Sequence, residues 1–259
     1  MADFILPIAS KTYETDGVMS IWFDPQGKHI NYQAGQFLRI QLSEIIDPRG
    51  PSRFFSIASS PTENSIMIAT KISQSPFKQK LANASIGDAI QIQAPFGKFV
   101  LSGDTNKHHL FLSGGIGITP FRSILTSATD RKLPHKITLL YSNKTRQDIV
   151  FKDDLAQCAK KNPNLTIIHT ITRSTVNSEA MKSPPQRDPA IAGQLSNDNQ
   201  LWETGRINEA IINRYVHDLP NAIFYICGPP SMVEAFTGLV KAMGILEENL
   251  RLERFTGYQ

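Results

Sequence analysis

The sequence predicts two domains of different class, an N-terminal antiparallel β-barrel or sandwich followed by a doubly wound parallel α/β domain. Three observations carry this. Up to about Leu101 the chain holds short alternating apolar segments divided by turn residues. After Lys107 the rhythm changes to apolar strands alternating with helical stretches. At the start of that second half, HLFLSGGIGITPFRSIL (109–125) reads as a buried strand, a glycine hinge and the first turns of a helix. The length of 259 residues suits two ordinary domains, set at 1–103 and 104–259.

In the first domain the predicted strands are 18–23, 37–42, 54–58, 66–72 and 89–93. Turn residues separate them, among them Asp24-Pro25, the 48–51 stretch PRGP and Gly87-Asp88. Residues 78–84 are its one helix-like piece. In the second domain strands are predicted at 110–113, 137–141, 165–170, 223–227 and 250–255, with helices near 120–128, 148–160, 208–215 and 231–243. Strand and helix alternation of this kind implies a parallel sheet with right-handed crossovers. Ligands bind such sheets at the carboxyl ends of the strands, where 113–119, 142–144, 172–173 and 228–231 fall. The polar stretch 175–203, with Pro184-Pro185 and little periodicity, reads as a long surface loop.

The glycine hinge has chemistry of its own. Gly114, Gly115 and Gly117 remove side chains where the backbone must turn and let something close in. Thr119 is expected as the helix N-cap and Pro120 as its first residue. The helix start then points free N–H groups and partial positive charge at the space left by the glycines, which suits a pyrophosphate. A tight strand-to-helix connection without a ligand is the alternative. Pro120 stands where the third glycine of a strict G-x-G-x-x-G would fall.

Three further groups stand out. Arg53-Phe54-Phe55-Ser56 joins a cation, aromatic planes and a hydroxyl; strand alternation puts Arg53 and Phe55 on one face, Phe54 and Ser56 on the other. Cys227-Gly228-Pro229-Pro230 ends an apolar strand at the ligand edge, with Ser231 expected to cap the next helix; alone, Cys227 also reads as a small buried hydrophobe. The stretch Glu253-Arg254-Phe255-Thr256-Gly257-Tyr258 places a carboxylate and two aromatics in a segment expected to dock.

Composition bounds the rest. Hydrophobic content of 41% and charged content of 19% are globular values, and no stretch approaches the ~20 apolar residues of a membrane span. The first residues lack a signal-peptide pattern, and two cysteines make neither a disulfide framework nor a four-thiolate cluster, so a cytoplasmic setting is expected. The net charge of +4 is modest and unclustered, which argues against nucleic acid while suiting an acidic partner.

Taken in order, R-x-F-S, then G-G-x-G-x-T-P, then C-G-P-P, then a terminal E-x-F, the chain resembles the ferredoxin–NADP reductase superfamily over nearly its whole length. The resemblance implies that the barrel binds FAD and the second domain NADPH or NADH. Arg53 would hold the flavin pyrophosphate, Phe55 would pack on the isoalloxazine where relatives usually have tyrosine, and Ser56 would sit near flavin N5, with Phe54 beside them. Ala69, Thr70 and Lys71, with Phe77 and Lys78 in the Ser75–Lys78 loop, occupy the places of further flavin contacts. Relatives often carry glycine and a hydroxyl residue where Ser75 and Lys78 lie, which leaves FMN as the alternative cofactor.

On the nucleotide side, Gly114, Gly115, Gly117, Thr119 and Pro120 would cradle the pyrophosphate. Cys227, Gly228, Pro229 and Pro230 would lie near the nicotinamide, and Phe255 would be the stacking aromatic. The implied catalytic trio is Ser56, Cys227 and Glu253. Thr172-Arg173 and Arg206 match two cationic positions of NADPH-using relatives, so NADPH is favoured over NADH. No metal is implied. The expected activity is electron transfer from NAD(P)H through flavin to a ferredoxin- or flavodoxin-like carrier. The alternatives are the reductase component of a multicomponent oxygenase, a free-flavin or ferric reductase, and a non-catalytic nucleotide-binding electron-transfer subunit.

Overall fold

A computed structural model describes residues 1–173 and 200–255 of the chain. They group into two compact units. The first holds Met1–Gly103 together with Ile116–Arg131, and the second holds Asp104–Gly115 and the described residues of 132–173 and 200–255. Residues 116–131 group with the N-terminal unit.

The first unit is a six-stranded antiparallel sheet: β1 (Ala2–Thr15), β2 (Val18–Phe23), β3 (Phe37–Gln41), β4 (Ser52–Ser56), β5 (Ile66–Lys71) and β6 (Ala89–Phe96), in the order β4-β3-β6-β1-β2-β5. The two end strands approach each other, since Ala58 just beyond β4 donates its N–H to the Met67 carbonyl of β5 at 2.8 Å. The sheet is thereby barrel-like. β1 makes this possible by pairing with β6 through its first half and with β2 through its second, with an irregularity between Ile8 and Ser10. It is missing from the expected strands, because Pro7 and the bulge break the alternation that would announce it. Helix α1 (Pro76–Asn83) starts on proline and turns Phe77 and Leu81, one helical turn apart, into the barrel core. Burying each such side chain contributes about 1.5–3 kcal/mol.

Helix α2 (Thr119–Asp130) is held within the same unit. Arg122 donates to the Ala58 carbonyl at 2.9 Å and pairs with Glu63, and Ser123 donates to the Ser59 carbonyl at 2.5 Å. Thr119 does not cap this helix. A 3₁₀ turn over Gly115–Ile118 runs straight into it, so Thr119 is already helical and its hydroxyl donates back to the Ile116 carbonyl.

The second unit is a six-stranded parallel sheet in the order β10-β9-β8-β7-β11-β12. Its strands are β7 (His108–Gly114), β8 (Lys136–Asn143), β9 (Leu165–Ile171), β10 (Gln200–Thr204), β11 (Ala222–Gly228) and β12 (Leu250–Arg254), joined through helices α3 (Lys152–Lys161), α4 (Glu209–Tyr215) and α5 (Pro230–Ala242). Strand order reverses between β7 and β11, the position where open α/β sheets leave a crevice at their carboxyl ends. Strand β10 overturns the end of the predicted loop: residues 200–203 pair with β9, and 174–199 lie outside the described residues. α3 starts later than the sequence suggests, because a capping box of Thr145 and Asp148 closes a separate 3₁₀ turn and Phe151 takes φ 59° before the helix begins. Ser231 lies within the first turn of α5 and does not cap it.

Candidate functional site

The first unit gathers positive charge around one carboxylate. Arg53, on β4, is buried and its guanidinium donates to Asp47 Oδ1 at 2.5 Å and to the carbonyls of Arg49, Gly50 and Ser52 at 2.7–3.0 Å. Asp47 also accepts from the backbone N–H groups of Arg49 at 2.9 Å and Phe77 at 3.1 Å, and from Ser75 Oγ at 3.2 Å. These donors hold its carboxyl down to about 2, the Arg49 amide contributing most. Phe77 N–H belongs to the opening turn of α1, so the carboxylate sits on an exposed helix start beside an arginine. Lys78 lies next to them, lowered to about 8 by burial and by the charges of Arg49, Lys71 and Arg53. Two charge-assisted donors, a helix start and this group of cations fit a flavin phosphate.

Other expected flavin contacts are placed differently. Phe77 is fully buried and Phe55 nearly so, their ring centroids 6.2 Å apart in the barrel core, with Arg53 5.1 Å from the Phe77 ring. Phe77 therefore offers a ligand its main chain and not its ring, as do Ala69 and Thr70, both buried on β5. Helical spacing aims position 77 inward with Leu81, which overrides the reading of its ring as a contact. Phe54 faces outward at 59% exposure, edge-on to Phe37 and Phe96. Ser56 is buried at the end of β4, while Lys71 is exposed at the end of β5.

In the second unit the crevice between β7 and β11 is built from small residues and a methionine. Cys227 stands opposite Ser113 of β7 on one side and Glu253 of β12 on the other. Its thiol is fully buried; that burial, and then Glu253, push it well above its usual range, so it is a neutral group and not a ready nucleophile. Phe255 is anchored by its backbone N–H on the Gly228 carbonyl at 3.0 Å. Residues from Thr256, including Tyr258, lie outside the described residues. A Cβ added to Gly114 would come 2.5 Å from Met232 Sδ, and one on Gly228 2.0 Å from Met232 Cε, so both glycines make room for this side chain of α5. Gly115, at φ 52°, presents its carbonyl to Tyr141 Oη at 2.9 Å.

Ser113 Oγ and Thr170 Oγ1 are buried without a hydrogen-bond partner near the carboxyl ends of β7 and β9. A ligand at this edge would offer both hydroxyls a partner. Thr172-Arg173 follows β9 and Arg206 follows its neighbour β10, where Gly205 N–H bonds the Ile171 carbonyl at 2.8 Å; all three candidate residues are exposed at one edge of the sheet. Pro229 and Pro230 begin α5. Of the glycine-turn residues, Gly114 and Gly115 group with the second unit, and Gly117, Thr119 and Pro120 with the first. Among the described residues no cluster of metal-ligating side chains occurs.

Residues 111–237 match the model of the oxidoreductase NAD-binding domain. The whole chain superposes on the FAD/NAD-binding domain of nitric oxide dioxygenase from Vibrio cholerae, with TM-score 0.76 at 19% identity, covering 97% of this chain and 98% of that one. A ferredoxin–NADP⁺ reductase from Neisseria gonorrhoeae gives 0.74 at 18% identity, covering 97% and 98%. The chain has the ferredoxin–NADP reductase fold. In sequence it is 29% identical over 231 residues to one of the subunits of a Na⁺-translocating NADH-quinone reductase from Klebsiella pneumoniae, covering 83% of this chain and 51% of the relative. The chain thus spans about half the length of the curated relatives it matches.

Sequence reasoning misses Asp47, Thr170 and Met232. Asp47 lies in the turn DPRGP, where an aspartate usually serves the turn itself, and no local pattern signals that it reaches Arg53 and α1. Thr170 and Met232 acquire meaning only from the strand order that brings their neighbours to one edge.

Proposed function

We propose that the chain is an FAD-dependent NAD(P)H oxidoreductase that passes electrons to a small one-electron carrier such as a ferredoxin or flavodoxin. The observation that carries this reading is the anion seat of the first unit, where Arg53 and the start of α1 converge on one position of an antiparallel barrel. A solved relative of the same fold is described with bound FAD and NADP. When bound, flavin supplies the chemistry, accepting a hydride and releasing electrons singly. The residues of this chain then have distinct tasks. Arg53, Lys78 and the Phe77 amide would hold phosphate, and Ser56 would sit near the flavin ring. Phe255 would be the stacking aromatic, and Cys227 and Glu253 would line the nicotinamide edge. Arg173 and Arg206 favour NADPH by pairing with its additional phosphate.

The net charge of +4 suits an acidic carrier. Two cysteines that form no disulfide suit a reducing cytoplasmic setting. No helix among the described residues is long and apolar enough to cross a membrane. A second reading, a reductase component of a larger system, is favoured by relatives of which the chain spans about half and by a solved neighbour described as the ferredoxin reductase of carbazole 1,9a-dioxygenase. Anaerobic addition of NADPH to the purified yellow protein tests both: the flavin absorbance should bleach within the mixing time of a stopped-flow experiment. A spectrum that does not change rejects them together, and single-turnover reoxidation by ferredoxin, flavodoxin or an oxygenase component separates them.

A further inference from the structure

The Asp47 carboxylate takes up the donors that a flavin phosphate would need. Its side chain is 2% exposed, and it satisfies Arg53 Nη2, the Phe77 and Arg49 amides and Ser75 Oγ at once. A phosphate carries more charge and more acceptor oxygens than a carboxylate, and the cations that act on Lys78, namely Arg49, Lys71 and Arg53, are all positive. The seat therefore favours a second, stronger anion. The segment bearing Asp47 is built to give way. It is a connection between β3 and β4 without secondary structure of its own, it turns through φ 52° at Glu44 and 78° at Gly50, and Ile46 next to the carboxylate is 95% exposed. Leu42 and Ile45 anchor its first turn on the barrel core, whereas residues 46–50 bury no apolar side chain.

We propose that Asp47 is a tethered stand-in for the flavin phosphate, seated on Arg53 and the start of α1 in the free protein and exchanged for the phosphate when flavin binds. The inference rests on the flavin reading above and adds a residue that sets flavin affinity and phosphate selectivity. The carboxylate keeps a buried arginine paired while the site lacks cofactor, which avoids leaving an uncompensated charge in the barrel wall. Its release on binding opposes affinity for every flavin that carries a phosphate and leaves riboflavin, which carries none, unaffected.

The test is titration of the apoprotein with FAD, FMN and riboflavin, followed by flavin fluorescence, for the wild type, Asp47→Asn and Arg53→Ala. Asp47→Asn should tighten FAD and FMN by fivefold or more and leave riboflavin within twofold, whereas Arg53→Ala should weaken FAD and FMN by tenfold or more. Weaker FAD binding in Asp47→Asn, or an equal change for riboflavin, overturns the exchange and makes Asp47 a support for the site. Absence of binding by all three flavins to the wild type defeats the flavin reading instead. Should Asp47→Asn not fold, amide exchange in the wild type decides: FAD should speed exchange across 43–51 while protecting Phe77, and slower exchange across 43–51 overturns the proposal.

Discussion

Cys227 of β11 lies in register with Glu253 of β12, a fully buried thiol beside a carboxylate at the carboxyl edge of the parallel sheet. Burial and then the neighbouring charge both favour the protonated thiol. Cys227 should resist iodoacetamide at pH 8 in the folded protein and react fully in guanidinium. Because the folded state holds the proton more tightly, this group adds stability below its ordinary value of 9.0 and loses it as pH rises above that value. Cys227→Ala should therefore flatten the alkaline arm of a stability profile measured by urea unfolding. In stopped-flow reduction it should slow the hydride step by roughly tenfold or more, a loss typical of a contact made in the transition state, with flavin still bound.

Acid should loosen the two units in sequence. His108 is held near 4 by burial and the neighbouring charge of Lys136, so its neutral form stabilises the second unit above 6.5, and that contribution fades as pH falls from 6.5 toward 4. Asp47, held near 2, stabilises the first unit above 3.8 and loses that contribution as pH falls toward 2. The two tryptophans divide between the units, Trp22 on β2 and Trp202 on β10. Single-tryptophan variants, Trp22→Phe and Trp202→Phe, should report the second unit changing at the higher pH. Coincident transitions would show that the two units unfold as one.

Arg122 should matter to stability more than its place in a helix suggests. Its side chain is 6% exposed, it pairs with Glu63 at 2.9 Å and its guanidinium lies 5.7 Å from the Trp22 ring. Arg122→Ala leaves Glu63 without that partner, at a cost of about 3 kcal/mol, since breaking a mostly buried pair costs more than the pair itself contributes. Urea unfolding followed by Trp22 fluorescence checks the loss. Arg122→Lys should recover only part of it, because the guanidinium makes contacts to both Glu63 oxygens and the Ala58 carbonyl that one ammonium cannot match.

The proposed preference for NADPH rests on two exposed arginines. Arg173→Ala and Arg206→Ala should each raise the KM for NADPH by about tenfold, in line with the loss of one charge-assisted contact, and leave NADH within twofold. Equal effects on both nucleotides would remove these residues from the 2′-phosphate.

Met232 gives a steric test of the crevice. Gly114→Ala pushes a methyl group into Met232 Sδ and close to the Ser142 carbonyl, whereas Met232→Ala clears the first of these contacts. The single Gly114→Ala variant should lose stability by about 1–3 kcal/mol as an overpacked site, and the double variant should behave better than the sum of the two changes, read from paired urea curves.

Most elements are legible in the sequence because their local signals agree. The alternation at 89–93 reports a strand with one buried face, and the apolar run at 110–112 reports a strand covered on both faces. Where local signals conflict, the sequence misleads. β1 contains Pro7 and a bulge, and β10 follows a polar stretch without periodicity; both strands are decided by the partners that receive them. The expected caps at Thr119 and Ser231 do not form because a preceding 3₁₀ turn and a double proline start those helices without side-chain help.

By itself, then, the sequence determined the fold class and the neighbourhood of the chemistry, because hydrophobic period and glycine, proline and cap residues act over a few positions. It also placed Cys227 at a strand end. What only the tertiary structure decided is which distant groups share one charge or one cavity. Asp47 meets Arg53 and the start of α1 across 6 and 30 residues of chain, Glu253 meets Cys227, and Phe77 turns its ring inward while its N–H takes an anion. Desolvation and Coulomb interactions depend on distance and burial in space, which sequence spacing does not encode.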